Sequence, residues 1–173
     1  FKARGYTTVG VTANPNINSV FGFDQGFDRY ANSDRVWPWM DREDGEKRAN
    51  KGTLMPTPEV FDTALELAKE AGPGPYFLQL NIMEIHTYGA PVRPENEHHF
   101  KGEKNERYLN AVRQVSMDVG AFVERLSKTP GFENTLLVIT SDHGEGLDDH
   151  PGIPGAKYHG NVLYESQIWV PLI

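Results

Sequence analysis

The stretch "TPEVFDTALELAKEAGPGPYFLQLNIMEIH" (Thr57–His86) decides the fold. Its first half reads as a helix. Thr57 can cap it, Pro58 suits the first turn, and Glu59 lies near the positive helix end. Val60, Phe61, Ala64, Leu65 and Ala68 make one apolar stripe, and Gly72-Pro73 stops the periodicity. From Pro75 a nearly continuous apolar run of strand length follows, the pattern of a strand buried on both faces of a parallel sheet. His86 falls at or just past its C-terminal end.

Upstream, "GYTTVGVTAN" (Gly5–Asn14) is short and β-branched, bounded by Gly and Asn-Pro, and reads as a second buried strand. Gly5 would end a preceding helical turn in the left-handed conformation. Residues 14–30 are rich in Asn, Gly and Phe without a period, and read as a loop with aromatic anchors. Residues 31–55, with "VWPWM" in the middle, read as a long surface excursion.

Downstream, Asn105–Phe132 forms a second helix, with Tyr108, Val112, Val115, Val119, Phe122 and Leu126 on one face. "NTLLVIT" (Asn134–Thr140) reads as a further buried strand that delivers Ser141, Asp142 and His143 at its tip, and "VPLI" reads as another. Strands alternating with helices predict an α/β domain with a largely parallel sheet. Such sheets bind ligands beyond the carboxyl ends of their strands, where His86 and Asp142-His143 both fall.

The 173 residues carry 38% hydrophobic and 24% charged side chains, enough for one domain with a core. A formal charge of −7 argues against a nucleic-acid surface, which needs a basic stripe. It does not exclude a small anionic substrate, because a bound metal and a few cations reverse the local field. With no cysteine, thiolate metal sites and disulfides are excluded for this chain. No apolar run reaches bilayer length. The opening "FKARGY" and the final "VPLI" suggest a piece of something longer.

A carboxylate oxygen and an imidazole nitrogen, as at Asp142 and His143, suit zinc or manganese; calcium prefers oxygen alone. The alternative, a turn with a solvated His, is what those two residues favour by themselves. His86 could donate to an anionic oxygen or simply close a strand. Lys157 and His159 could meet an anion. Asp148 and Asp149 read as solvated, His98 and His99 as surface residues, and Ser141 as a turn-capping hydroxyl. Glu145 and His150 belong to the same stretch without an assigned role.

These residues carry a family resemblance. "LLVITSDHGEGLDDH…KYHGNVLYESQIWVPLI" (Leu136–Ile173) resembles the late segment of sulfatases in the alkaline-phosphatase-like superfamily. That segment has a strand, S-D-H-G, an acidic-His loop, H-G or Lys, and L-Y-[DE] before V-P-L. "PYFLQLNIMEIHTYGAP", "GYTTVGVTANPNI…GFDQGFDRY" and "RYLNAVRQVSMDVGAFVERL" are similar to other blocks of the family. The resemblance implies one partial sulfatase-like domain over residues 1–173. It implies hydrolysis of sulfate esters, with Asp142 and His143 as metal ligands. His86 and His159 become substrate-contacting catalytic residues, with Lys157 as a further substrate contact.

It also implies a divalent metal (calcium by family habit, manganese or zinc as alternatives) and a small anionic ester substrate, with a sulfated carbohydrate as one candidate. A periplasmic or extracellular location and self-association are further expectations. Two departures stand out. Glu84-Ile85 replaces the usual Asp-Pro before the strand-end His, and the formylglycine motif C/S-x-P-x-R, with its paired aspartates, is not in this chain. The alternatives are a phosphodiesterase, phosphonate hydrolase or phosphoethanolamine-type transferase of the same superfamily, or a non-catalytic fragment or pseudoenzyme. The isolated chain is expected to be inactive.

Overall fold

Three parallel strands in the order β2-β1-β3 form the centre of the first part of the chain. The structure, a computed structural model, describes residues 1–33, 54–72 and 74–173. The "VWPWM" excursion and Pro73 lie outside them. The described residues divide into two compact units, Phe1–Arg125 and Leu126–Ile173.

In the first unit, β1 (Thr7–Thr12) is the middle strand. It pairs with β2 (Arg29–Asn32) from Val9↔Arg29 to Thr12↔Asn32, and with β3 (Tyr76–Asn81) from Thr7↔Tyr76 to Thr12↔Asn81. Side chains alternate across a strand, and β1 uses the alternation fully. Val9 and Val11 turn to one face, where they form the core with Ala13, Val60, Ala64 and Met83, flanked by Leu78 and Leu80 of β3. Thr8, Gly10 and Thr12 turn to the other. There Thr8 Oγ1 donates to Asp28 (2.9 Å) and the ring of Tyr30 lies over Gly10 so closely that a Cβ would overlap it. The Tyr30 hydroxyl donates to Ile17 O at 2.6 Å.

Sequence expectations fare unevenly here. Gly5 does end a helical turn (Lys2–Arg4) at φ 80°, its N–H donating to Lys2 O. The four-residue β2 lies where the sequence reads as loop, because four residues without apolar alternation carry no period to detect. Of the loop aromatics, Phe27 and Tyr30 anchor, whereas Phe21 and Phe23 are exposed. β3 ends at Asn81 and is half-buried with Gln79 exposed, not buried on both faces.

Helix α1 (Thr57–Glu70) buries Val60, Phe61 and Ala64. Thr57 is its first helical residue rather than its cap, and its hydroxyl finds no partner among the described residues. Glu84 does the capping from a distance: its Oε2 accepts from Thr57 N at 3.2 Å. A carboxylate there also complements the helix dipole.

Helix α2 (Glu106–Leu126) stacks Phe122 on Phe61 at 4.3 Å. A second, polar row on α2 holds the segment that follows β3. Asn110 accepts from Phe100 N (3.2 Å) and donates to Glu97 O (2.9 Å). Gln114 accepts from Arg93 N (2.6 Å) and donates to Glu84 (3.1 Å), and Asp118 pairs with Arg93 at 2.7 Å. Spacing of four puts all three on one helix face.

In the second unit, "NTLLVIT" is not a buried strand. Leu136 and Val138 are exposed, and the segment is extended with one antiparallel bridge, Thr140↔Leu172, extended by reciprocal hydrogen bonds between Ile139 and Ile173. "VPLI" contributes that bridge and no more. α3 (Glu165–Ile168) is a single turn.

Candidate active site

The segment Ser141–Gly160 folds back on itself through two glycines. Gly144 N donates to Gln167 O at 2.8 Å, and Gly146 N donates to Tyr158 O at 3.1 Å. At either position a Cβ would collide with backbone: Ser166 O at Gly144, Ala156 O at Gly146. The sequence S-D-H-G-E-G therefore places glycine at the two points where chains cross, and a larger residue at either would push the crossing apart.

Between these crossings the side chains take fixed attitudes. The Ser141 hydroxyl donates to His143 O at 2.6 Å, as the turn-capping reading requires. His143 Nδ1 lies 2.7 Å from Gly144 O. A carbonyl only accepts, so Nδ1 carries the proton and, in the neutral ring, Nε2 carries the lone pair. His159 Nδ1 lies 3.0 Å from Glu145 Oε2, which selects the same tautomer. The two rings stack at 4.1 Å, 25° from parallel. Asp142, 74% exposed, keeps Oδ1 3.8 Å from His143 Nε2 while accepting from His143 N at 3.0 Å. One carboxylate oxygen and one imidazole nitrogen from adjacent residues thus stand close enough to share one ion.

The remaining residues of the segment sort themselves by contact. Lys157 is exposed, 3.6 Å from Asp148 and 5.7 Å from the centroid of the Tyr158 ring. Asp148 and Asp149 are exposed, as the sequence suggests. His150 gains a role that the sequence leaves unassigned: it stacks on Tyr164 at 3.8 Å, 6° from parallel. The L-Y-E turn thereby braces the loop from one side and, through Gln167 O, receives Gly144 N on the other. Glu145 also gains a contact that its sequence context does not announce. Its neighbours Asp142, Asp148 and Asp149 make it look like one more solvated acid, and only its two flanking glycines set it apart.

His86 belongs to the first unit. It is exposed, in the turn spanning residues 84–89, five residues beyond the last residue of β3. Thr87 ties that turn down, its N–H donating to Met83 O at 3.1 Å. The Glu84–Gln114 bond fixes the same turn to α2. His98 and His99 are exposed, with His99 edge-on to Phe100.

A three-stranded parallel sheet with flanking helices is shared with solved structures of the alkaline-phosphatase-like superfamily, and that is the fold of this chain. The Sulfatase family model matches residues 1–173, and the chain belongs to that family. Similar structures include Ps i-CgsB (20% identity, TM-score 0.62, covering 96% of this chain and 44% of that one). The lipoteichoic acid synthase LtaP from Listeria monocytogenes (16%, 0.57, 82% and 35%) is another. A third is an alkaline phosphatase superfamily protein from Vibrio parahaemolyticus (20%, 0.57, 91% and 38%). The chain thus spans less than half the length of these proteins. No curated protein matches it.

Proposed function

We propose that this chain supplies the late metal-and-anion part of a sulfate-ester hydrolase. The observation that carries the reading is the pair of stacked imidazoles, His143 and His159, each with Nδ1 engaged and Nε2 left as the lone-pair nitrogen. Members of the sulfatase family use a divalent metal. Asp142 and His143 fit one, as a carboxylate oxygen and an imidazole nitrogen 3.8 Å apart. The mixed donor set suits manganese or zinc, while family habit favours calcium. When bound, the ion would supply charge to offset a developing anion.

His159 would contact the transferring group and exchange a proton at Nε2, the nitrogen that carries the lone pair when Nδ1 donates to Glu145. His86 is proposed as an anion contact of the same enzyme, and Lys157 as a weaker one. The substrate is a small anionic ester, with a sulfated carbohydrate as the favoured class, and the site of action periplasmic or extracellular. The nucleophile would come from sequence outside these 173 residues, since no C/S-x-P-x-R motif occurs among them.

The test is an assay of the whole protein with an aryl sulfate and an aryl phosphate, each with calcium, manganese or zinc. Metal-dependent turnover of the sulfate is expected, with Asp142→Ala lowering kcat/KM by at least about a hundredfold, roughly 3 kcal/mol of transition-state stabilisation. Preference for the phosphate would favour the phosphodiesterase and transferase alternatives. Absence of both activities would favour a pseudoenzyme. The 173-residue chain alone should turn over neither.

A further inference from the structure

We propose that Glu145 positions His159, holding its ring in the Nδ1–H tautomer and stacked on His143; this rests on the reading of His159 as the proton-exchanging residue. Three observations converge on it. The Glu145 side chain is 9% exposed, in a loop whose other acids stand in water. A carboxylate removed from solvent needs partners, and Glu145 has two: His159 Nδ1 at 3.0 Å through Oε2, and Gly146 N at 3.2 Å through Oε1.

The backbone on either side is pinned where no other residue fits, at Gly144 against Ser166 and at Gly146 against Ala156. The backbone of Glu145 therefore cannot shift without breaking a crossing, which fixes the point from which its carboxylate reaches His159. Finally, the Gly146 N bond to Tyr158 O sits one residue away from the Glu145–His159 bond on both segments. A backbone bond and a side-chain bond in tandem fix the ring in two dimensions.

An acid that merely stabilises the loop and one that selects a tautomer differ in a measurable way. An unconstrained neutral histidine prefers the Nε2–H form, which would place the proton on the nitrogen needed as acceptor. Imidazole nitrogen NMR of the 173-residue chain, recorded well above the usual histidine range, should find His159 entirely Nδ1–H. Glu145→Ala, and Glu145→Met, which keeps the length but not the acceptor, should lose that form as the major species. Glu145→Gln, whose amide oxygen can still accept, should keep it. Exchange protection of the Gly144 amide, bonded to Gln167 O, reports whether each variant keeps the loop folded, and using two acceptor-free variants guards against one that does not fold.

In the whole protein, Glu145→Ala should lower kcat by about 10–100-fold with KM changed little, and Glu145→Gln should recover part of it. Retention of Nδ1–H in a folded acceptor-free variant overturns the proposal, as does an unchanged kcat in an active enzyme. A whole protein that hydrolyses neither ester instead overturns the functional reading, while the tautomer result stands by itself.

Discussion

Asp28 is a residue whose contribution can be read from its surroundings. Lys2 Nζ sits 2.7 Å away, and both the backbone N–H and hydroxyl of Thr8 donate to it. Those bonds, Lys2 first, hold its carboxyl down from 3.8 to about 2. A carboxylate with a depressed folded pKa stabilises the fold fully above its unfolded pKa and loses that contribution as pH falls through the folded one. Melting temperature should therefore drop between about pH 4 and pH 2. Asp28→Asn should flatten that part of the curve, and an identical acid limb in the variant would contradict the assignment. The "GFD" of the sequence thus acts as a latch between β1 and the start of β2. Its composition signalled only a loop.

At the scale of elements, the capping of α1 shows how a local rule is met from afar. Thr57 looks like an N-cap by type and position, yet Glu84, twenty-seven residues later, takes the Thr57 N–H. Glu84→Ala should cost about 1 kcal/mol, measured by urea unfolding, and should also loosen the turn that carries His86. A denaturation midpoint that does not move would refute this.

The two long helices were legible because fourteen and twenty-one residues repeat a 3.6 period several times over. β1 was legible from β-branching between turn signals. Short or singly bonded segments were not. β2 has four residues, and Leu136–Thr140 is apolar enough for a strand but finds a single bridge among the described residues. An apolar run records a demand for burial, not the partner that meets it. Of the candidate site, the sequence places Asp142, His143 and His159 in one segment, and the structure stacks His143 on His159. Glu145 was not legible, because the sequence cannot distinguish a buried acid from its solvated neighbours, whereas crowding at the flanking glycines can.

For the whole molecule, the second unit leaves much apolar surface in water. Leu136 is 88% exposed, and Leu163, Trp169, Leu172 and Ile173 are each close to 80%. Patches of this kind draw chains together, and the extended Leu136–Thr140 segment offers backbone groups for pairing. The 173-residue chain should therefore associate as concentration rises. Light scattering checks this, and a constant monomer mass across a hundredfold range would count against it. No described helix is long and apolar enough to cross a membrane.

The crossing at Gly146 and Tyr158 has one more consequence. It closes residues 147–157 into a separate excursion whose two ends are already joined, so the entropy of bringing those ends together depends only weakly on what lies between. Between the His150 stack on Tyr164 and the Ala156 carbonyl that crowds Gly146, the chain can lengthen, shorten or change character without breaking either contact. The loop is in effect an exchangeable cassette beside a fixed frame. It is the natural place for chains built on this frame to differ from one another.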